Sequence, residues 1–244
     1  LSNDPRHPLI NHAVGGQYPP GSVFKIIPAS GALQEGVITE STRFECRGTM
    51  LLPNKFFPND LSQAQPFYCW ARYGHGSINV VTAISQSCDI FFYKATGGFE
   101  DFVGLGIDRL GKYAAMFGIG EPTGVELTGE AAGLLPSEQW KRLTYSESWF
   151  TGDTYNAAIG QGYVLVTPLQ MLNATAAIAN GGTLYRPQVV HQVVDIEGNL
   201  VEAFEPEVIR ELEISPENIE LVRRGMHGAV TNGTAYRLHL PEVD

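Results

Sequence analysis

Residues 39–77 carry almost no hydrophobic periodicity, and turn formers break them at Pro53-Asn54 and Pro58-Asn59-Asp60. A segment of that length without a pattern is either functional or held by something other than an apolar core. The flanking sequence reads largely as helix. Apolar residues return at helical spacing from Ser22 through Val23, Phe24, Ile26, Ile27, Ala29, Ala32 and Leu33 to a stop at Gly36, with a kink expected at Pro28. Helical patterns resume over 79–86, 90–96 and 99–117, and again from the Thr167-Pro168 start to Asn180-Gly181-Gly182. Residues 187–204 read as a hairpin turning at Glu197-Gly198-Asn199. Ser215-Pro216-Glu217 opens a last helix with Ile219, Val222, Met226 and Val230 on one face. Residues 1–21 and 119–165 read as irregular, and 231–244 as a short polar tail.

Composition removes several classes of function. The chain is 43% hydrophobic and 17% charged, too apolar for a disordered protein. Its net charge of −10 gives no basic footprint for nucleic acid. It has no polybasic run for anionic lipid. No stretch approaches the ~20 apolar residues of a membrane span, and no signal peptide opens the chain. Leu1-Ser2-Asn3-Asp4-Pro5 does not resemble a natural N-terminus, so the sequence reads as a piece of something longer.

The most informative segment is Tyr18-Pro19-Pro20-Gly21-Ser22-Val23-Phe24-Lys25. Ser22 and Lys25 fall on one face at a helix start. A serine hydroxyl is a weak nucleophile unless a base lies within hydrogen-bond reach, and a lysine one turn away can be that base. The N–H groups of the helix start favour a developing oxyanion. Taken alone, Ser-x-x-Lys is common by chance and a serine in this place is better explained as a helix cap.

The surrounding residues carry a resemblance. Pro-Pro-Gly before Ser22 and the apolar residues after it are similar to the Ser-x-x-Lys motif of penicillin-binding proteins and serine β-lactamases. Ser87-Cys88-Asp89 resembles their second motif, with Asp where Asn is usual, as in elongation-type class B members. Gly74-His75-Gly76, Phe117-Gly118-Ile119-Gly120, Thr123-Gly124-Val125-Glu126-Leu127, Gly133-Leu134-Leu135-Pro136-Ser137 and Trp140-Lys141 follow in family order. Gly152-Asp153-Thr154, Ile159-Gly160-Gln161-Gly162-Tyr163, Thr167-Pro168-Leu169-Gln170, Ala179-Asn180-Gly181-Gly182 and Pro187 complete the run. Together they resemble the transpeptidase domain of the penicillin-binding protein 2 group over essentially the whole chain.

The resemblance implies an α+β, β-lactamase/transpeptidase-like fold and a serine D,D-transpeptidase that cross-links peptidoglycan in cell-wall elongation. Ser22 would attack the bond between two terminal D-alanines, Lys25 would act as general base, and Ser87 would relay a proton to the leaving amine, with Asp89 at the third position. A second stem peptide would then take the acyl group. β-Lactams would acylate the same serine, and the chemistry needs no cofactor. The parent is expected to carry an N-terminal membrane anchor. It would work at the extracytoplasmic (periplasmic) face with a RodA-type glycan polymerase of the elongation complex. Two other readings stay open: a β-lactam hydrolase or sensor domain, and a non-catalytic scaffold module.

The family's third motif, Lys-Thr-Gly or Lys-Ser-Gly, is absent. None of the five lysines (Lys25, Lys55, Lys94, Lys112, Lys141) precedes Thr-Gly or Ser-Gly, and Asn232-Gly233-Thr234-Ala235 is a decoy. Residues 1–244 are therefore expected to be a partial transpeptidase domain, holding its helical bulk without the central antiparallel sheet. Such a piece would have little or no activity alone and would expose apolar surface that meets the sheet.

Cys46, Cys69, His75 and Cys88 form a Cys-x22-Cys-x5-His-x12-Cys set, enough for a tetrahedral structural zinc site in or beside the segment that lacks a core. The set resembles the zinc site of some penicillin-binding protein 2 domains. A Cys46–Cys69 disulfide is the rival. Among the remaining candidates, Glu126 and Glu130 read as structural or solvated carboxylates, and Phe91, Phe92 and Tyr93 as core. For Trp70 and Trp149 the sequence does not decide between a substrate groove and packing.

Overall fold

A computed structural model describes residues 4 and 9–240; parts of the irregular opening stretch and of the polar tail lie outside the described residues. A 3-10 turn over Gly21–Lys25 runs directly into α1, Ile26–Gln34. Pro28 falls in the first turn of α1, where its missing N–H is not needed, so the change from 3-10 to α winding replaces the expected kink. From Ile26 to Leu33 every residue of α1 is buried.

The aperiodic segment is built of four short strands: β1 Phe44–Cys46, β2 Thr49–Leu52, β3 Gln65–Tyr68 and β4 Gly76–Ile78. They pair as two separate antiparallel ladders, β1 with β4 and β2 with β3. The register sets Cys46 opposite Gly76 and Thr49 opposite Tyr68. One further bond extends each ladder: Cys69 N–H donates to Gly48 O at 2.9 Å beyond β2 and β3, and His75 N–H to Cys46 O at 3.1 Å beside β1 and β4. All four strands are too short for alternation to show.

Next come α2, Val80–Ser85, and α3, Asp89–Gly97, joined by a tight turn. Asn79 caps α2 by accepting from Thr82 N–H. At the centre of the fold, α3 touches α1, α2, α4 (Ile107–Met116) and α6 (Thr151–Ala158). Phe91 and Phe92 are fully buried and Tyr93 nearly so, as core residues. A Cβ at Gly97 would lie 2.4 Å from the Tyr155 ring, so glycine is what lets α6 approach α3. Tyr155 donates to Gly98 O at 2.6 Å, and burial pushes its hydroxyl up to about 12.

Two further expectations are corrected. The helix expected over 99–117 begins only at Ile107, because Phe99 and Phe102 exchange backbone hydrogen bonds in a tight turn. Residues 119–165 are not loop throughout: α5, Glu138–Tyr145, and α6 lie within them. These two helices are joined by Lys141, almost fully buried, whose Nζ lies 2.7 Å from Asp153. Burial opposes its charge most strongly, but the Asp153 bond and the charges of Asp153, Tyr163 and Glu147 together outweigh that and the pKa is raised.

Then follow α7, Pro168–Ala179, with β5 Thr183–Tyr185, β6 Gln192–Val194, β7 Leu200–Ala203 and β8 Val208–Glu211, and finally α8, Pro216–Thr231. Thr167 and Gln170 form a reciprocal capping box at the start of α7. The expected hairpin is β6–β7; it stands in solvent, and its neighbours β5 and β8 pair separately. The architecture is α+β, with four two-stranded sheets among the described residues. No helix of the described residues is long and apolar enough to cross a membrane.

Candidate active site

Ser22 and Lys25 open the chain's most buried helix, and the 3-10 winding puts residues three apart on one face. Ser22 is exposed, while Lys25 is only 2% exposed. A buried ammonium needs partners. Lys25 Nζ has three: Asp89 Oδ1 at 2.6 Å, Ser87 O at 2.9 Å and Ser87 Oγ at 3.0 Å. The Phe92 ring centroid lies 5.6 Å away. Among the described residues no hydrogen bond joins Ser22 Oγ to Lys25 Nζ; the ammonium is turned towards the second motif.

That motif sits in the turn between α2 and α3. Ser87 has φ 52, a left-handed conformation that serine seldom takes. Such strain persists only where the surroundings over-determine it. On the first-motif side, Gly21 N–H donates to Gly160 O at 2.9 Å. A Cβ at Gly160 would fall 2.3 Å from Gly21 O, so the Ile159–Gly162 segment can lie against the serine turn only with glycine there.

Ser22, Ser87 and Asp89 line one open cavity of about 700 Å3. Tyr68, Trp70, Arg72 and Tyr93 form another part of its wall, and Gln161 and Thr234 complete it. The sequence reading missed most of these. Trp70 belongs to the cavity, whereas the Trp149 indole bonds Thr154 Oγ1 at 2.8 Å and packs structurally. Thr234, in the decoy segment, reaches the rim because its N–H donates to Ser85 O at 3.2 Å. Glu130 accepts from the backbone of Thr123 and Gly124, and Glu126 from Val189, so both are structural carboxylates.

Behind this wall the four candidate metal ligands converge. The ligand atoms of Cys46, Cys69, His75 and Cys88 all lie within 4.8 Å of one another. His75 Nδ1 is 3.6 Å from both Cys46 Sγ and Cys69 Sγ, and Cys69 Sγ is 4.0 Å from Cys88 Sγ. Zinc–sulfur bonds of ~2.3 Å in a tetrahedron give sulfur–sulfur edges of ~3.8 Å, so the donors fit such an ion. All three cysteines are buried and free, which leaves no Cys46–Cys69 disulfide. The hydrogen bond shared by Cys69 and Cys88 holds the Cys69 thiol below the ordinary thiol range and, with burial, pushes Cys88 up. Nε2 of His75 is buried without a hydrogen-bond partner among the described residues.

A 3-10 turn carrying Ser-x-x-Lys, a buried lysine and a strained serine between two helices point to the class, and comparison with known proteins agrees. The penicillin binding protein transpeptidase domain matches residues 1–243, and the chain belongs to that family. The peptidoglycan D,D-transpeptidase MrdA of Escherichia coli (strain K12) is 34% identical over 239 residues, which cover 97% of this chain and 35% of the relative. The solved structure of Pseudomonas aeruginosa PBP2 in complex with WCK 5153 superposes with a TM-score of 0.79 at 34% identity, covering 98% of this chain and 50% of that one. Helicobacter pylori PBP2, solved in complex with MreC, gives a TM-score of 0.76 at 31% identity, covering 97% and 40%. The fold is the transpeptidase/β-lactamase-like one. The chain spans about a third of the curated relative's length.

Proposed function

We propose that this chain is the Ser-x-x-Lys and Ser-x-Asp part of a peptidoglycan D,D-transpeptidase, with Ser22 as nucleophile. The observation that carries the reading is the buried Lys25 ammonium, held by Ser87 and Asp89 one turn after an exposed Ser22. A proton passing to Asp89 along the 2.6 Å bond leaves a neutral amine at Lys25. That amine accepts the Ser22 proton as Oγ attacks the carbonyl between two terminal D-alanines. Ser87 Oγ, bonded to Lys25 Nζ, carries the proton on to the departing D-alanine amine as the tetrahedral intermediate collapses. The acyl-enzyme is then taken by the side-chain amine of a second stem peptide, and the same groups run in reverse. β-Lactams acylate Ser22 by the first half of this sequence.

The Lys-Thr-Gly or Lys-Ser-Gly strand, the central sheet and the membrane anchor belong, in this reading, to other parts of the parent protein. The parent works at the extracytoplasmic face beside a RodA-type polymerase. The test is labelling of the full-length protein with fluorescent penicillin. Wild type should form a long-lived adduct, and Ser22→Ala should form none; label persisting in the variant refutes the nucleophile. Rapid turnover of the drug would instead favour a β-lactam hydrolase.

The thiol–imidazole cluster fits structural zinc, held by Cys46, Cys69, His75 and Cys88. Its part is to cross-link the strands of residues 44–78 to the second motif through Cys88, with no role in the acyl transfer. Purified protein without zinc, with three titratable thiols, would remove this assignment.

A further inference from the structure

Ser87 bears the strain of the site, and one residue grips the chain on both sides of it. Trp70 Nε1–H donates to Gln86 O at 2.9 Å, and Trp70 N–H donates to Asp89 Oδ2 at 3.0 Å. Gln86 is the C-cap of α2, so its carbonyl would otherwise lack an intrahelical partner. Asp89 opens α3 and gives its other oxygen to Lys25. The Trp70 ring packs edge-on to His75, centroids 5.5 Å apart, yet the residue is 56% exposed on the cavity wall. An indole so exposed adds little to the core. What it contributes is two directed bonds.

We infer that Trp70 is a positioning residue of the transpeptidase site: it clamps Gln86 and Asp89, and so holds Ser87 left-handed and the Asp89 carboxylate in register with Lys25. The inference rests on the proposed function. A left-handed serine relaxes unless both shoulders are fixed. Lys25 grips Ser87 itself, through its carbonyl and hydroxyl, and Trp70 grips the residues on either side. Without the indole bond the Gln86 carbonyl is released and the Trp70 backbone that holds Asp89 Oδ2 loses its anchor to the turn, which leaves the proton path through Ser87 misaligned.

The test measures acylation by penicillin in the full-length protein. Trp70→Phe keeps a ring for His75 and loses the Nε1 bond; Trp70→Leu loses the aromatic ring as well. Both should lower the maximal acylation rate about tenfold, as loss of one positioning hydrogen bond does, with the half-saturating penicillin concentration changed less than about twofold. A slow Trp70→Leu beside a normal Trp70→Phe assigns the effect to ring packing and overturns the clamp. Asp89→Asn should cost about a hundredfold, and the Trp70→Phe/Asp89→Asn double variant should be slower than Asp89→Asn alone by clearly less than tenfold, since the two bonds brace the same Ser87 turn from its two sides. Additive losses, as from a merely structural tryptophan, or a wild-type rate in Trp70→Phe, overturn the inference. An adduct in Ser22→Ala would instead refute the underlying function, so the two failures are distinct.

Discussion

The helical layer of α1, α3 and α6 and the strand segment of residues 44–78 meet at the same cavity but are held by different forces. In the first, long runs are fully buried: Ile26 to Leu33 in α1, and Ile90 to Tyr93 in α3. In the second, the only buried apolar side chains are those of Cys46, Met50, Phe67, Cys69 and Ile78, and Phe56, Phe57 and Leu61 stand in solvent. Apolar burial stabilises in proportion to area, so a segment with so few buried side chains needs another source. The thiol–imidazole cluster is placed where that source is missing. Ser22 and Lys25, proposed for the acyl transfer, lie on the robust side, and Tyr68, Trp70 and Arg72 of the cavity wall on the fragile one.

Removing the zinc proposed for the Cys46, Cys69, His75 and Cys88 cluster should separate the two most sharply. Structural zinc supplies folding free energy outright, so chelation should cost at least ~4 kcal/mol and lower the melting midpoint by about 10 °C or more. Limited proteolysis should then cut first between residues 53 and 64. A midpoint indifferent to chelator would mean that the strand segment is self-supporting. Phe92→Ala strikes the other region. Deleting a fully buried phenylalanine beneath Lys25 should cost about 3–5 kcal/mol, read by urea denaturation, while zinc content stays unchanged. Loss of zinc together with the helical layer would show that the two regions unfold as one.

The sequence showed one region better than the other for the same physical reason. Period 3.6 is visible wherever a helix has one buried face, so α2, α3, α7 and α8 could be read directly. The exposed α5 buries only Lys141 and leaves no stripe to detect, though Ser137 caps it by accepting from Trp140 N–H. Strands of three or four residues are too short for a period of two. At the site, Ser22, Lys25, Ser87 and Asp89 were legible because they sit within motifs of fixed spacing. Trp70 was not, since its link to Asp89 is a backbone N–H that crosses from one region to the other.

pH gives a third separation. The Tyr155 hydroxyl is pushed from its ordinary value near 10 up to about 12, so the folded state resists its ionisation. This stabilisation is complete below pH 10 and is lost as pH rises towards 12, a change on the order of 3 kcal/mol. Tyr93 and Tyr113 shift in the same direction through burial, so Tyr155→Phe should remove only part of the alkaline slope. The strand segment should fail at the opposite end, because zinc ligation needs thiolates that acid protonates. Zinc release on acidification, with the helical layer still folded by circular dichroism, would sharpen the division; simultaneous loss at both ends would break it.

The smallest effect tests what else ties the regions together. Arg224 of α8 meets Glu40, just ahead of the strand segment, at 2.8 Å, with both side chains about half exposed. Water screens such a pair, and holding two long side chains in place offsets much of the attraction. Arg224→Ala should therefore cost under ~1 kcal/mol and become neutral in high salt, read as the shift in urea midpoint at low and high ionic strength. A larger loss that survived salt would make this ion pair a real anchor of residues 39–78. The cluster of Cys46, Cys69, His75 and Cys88 would then have less to explain, and the strand segment would owe its order to the helices beside it rather than to a metal.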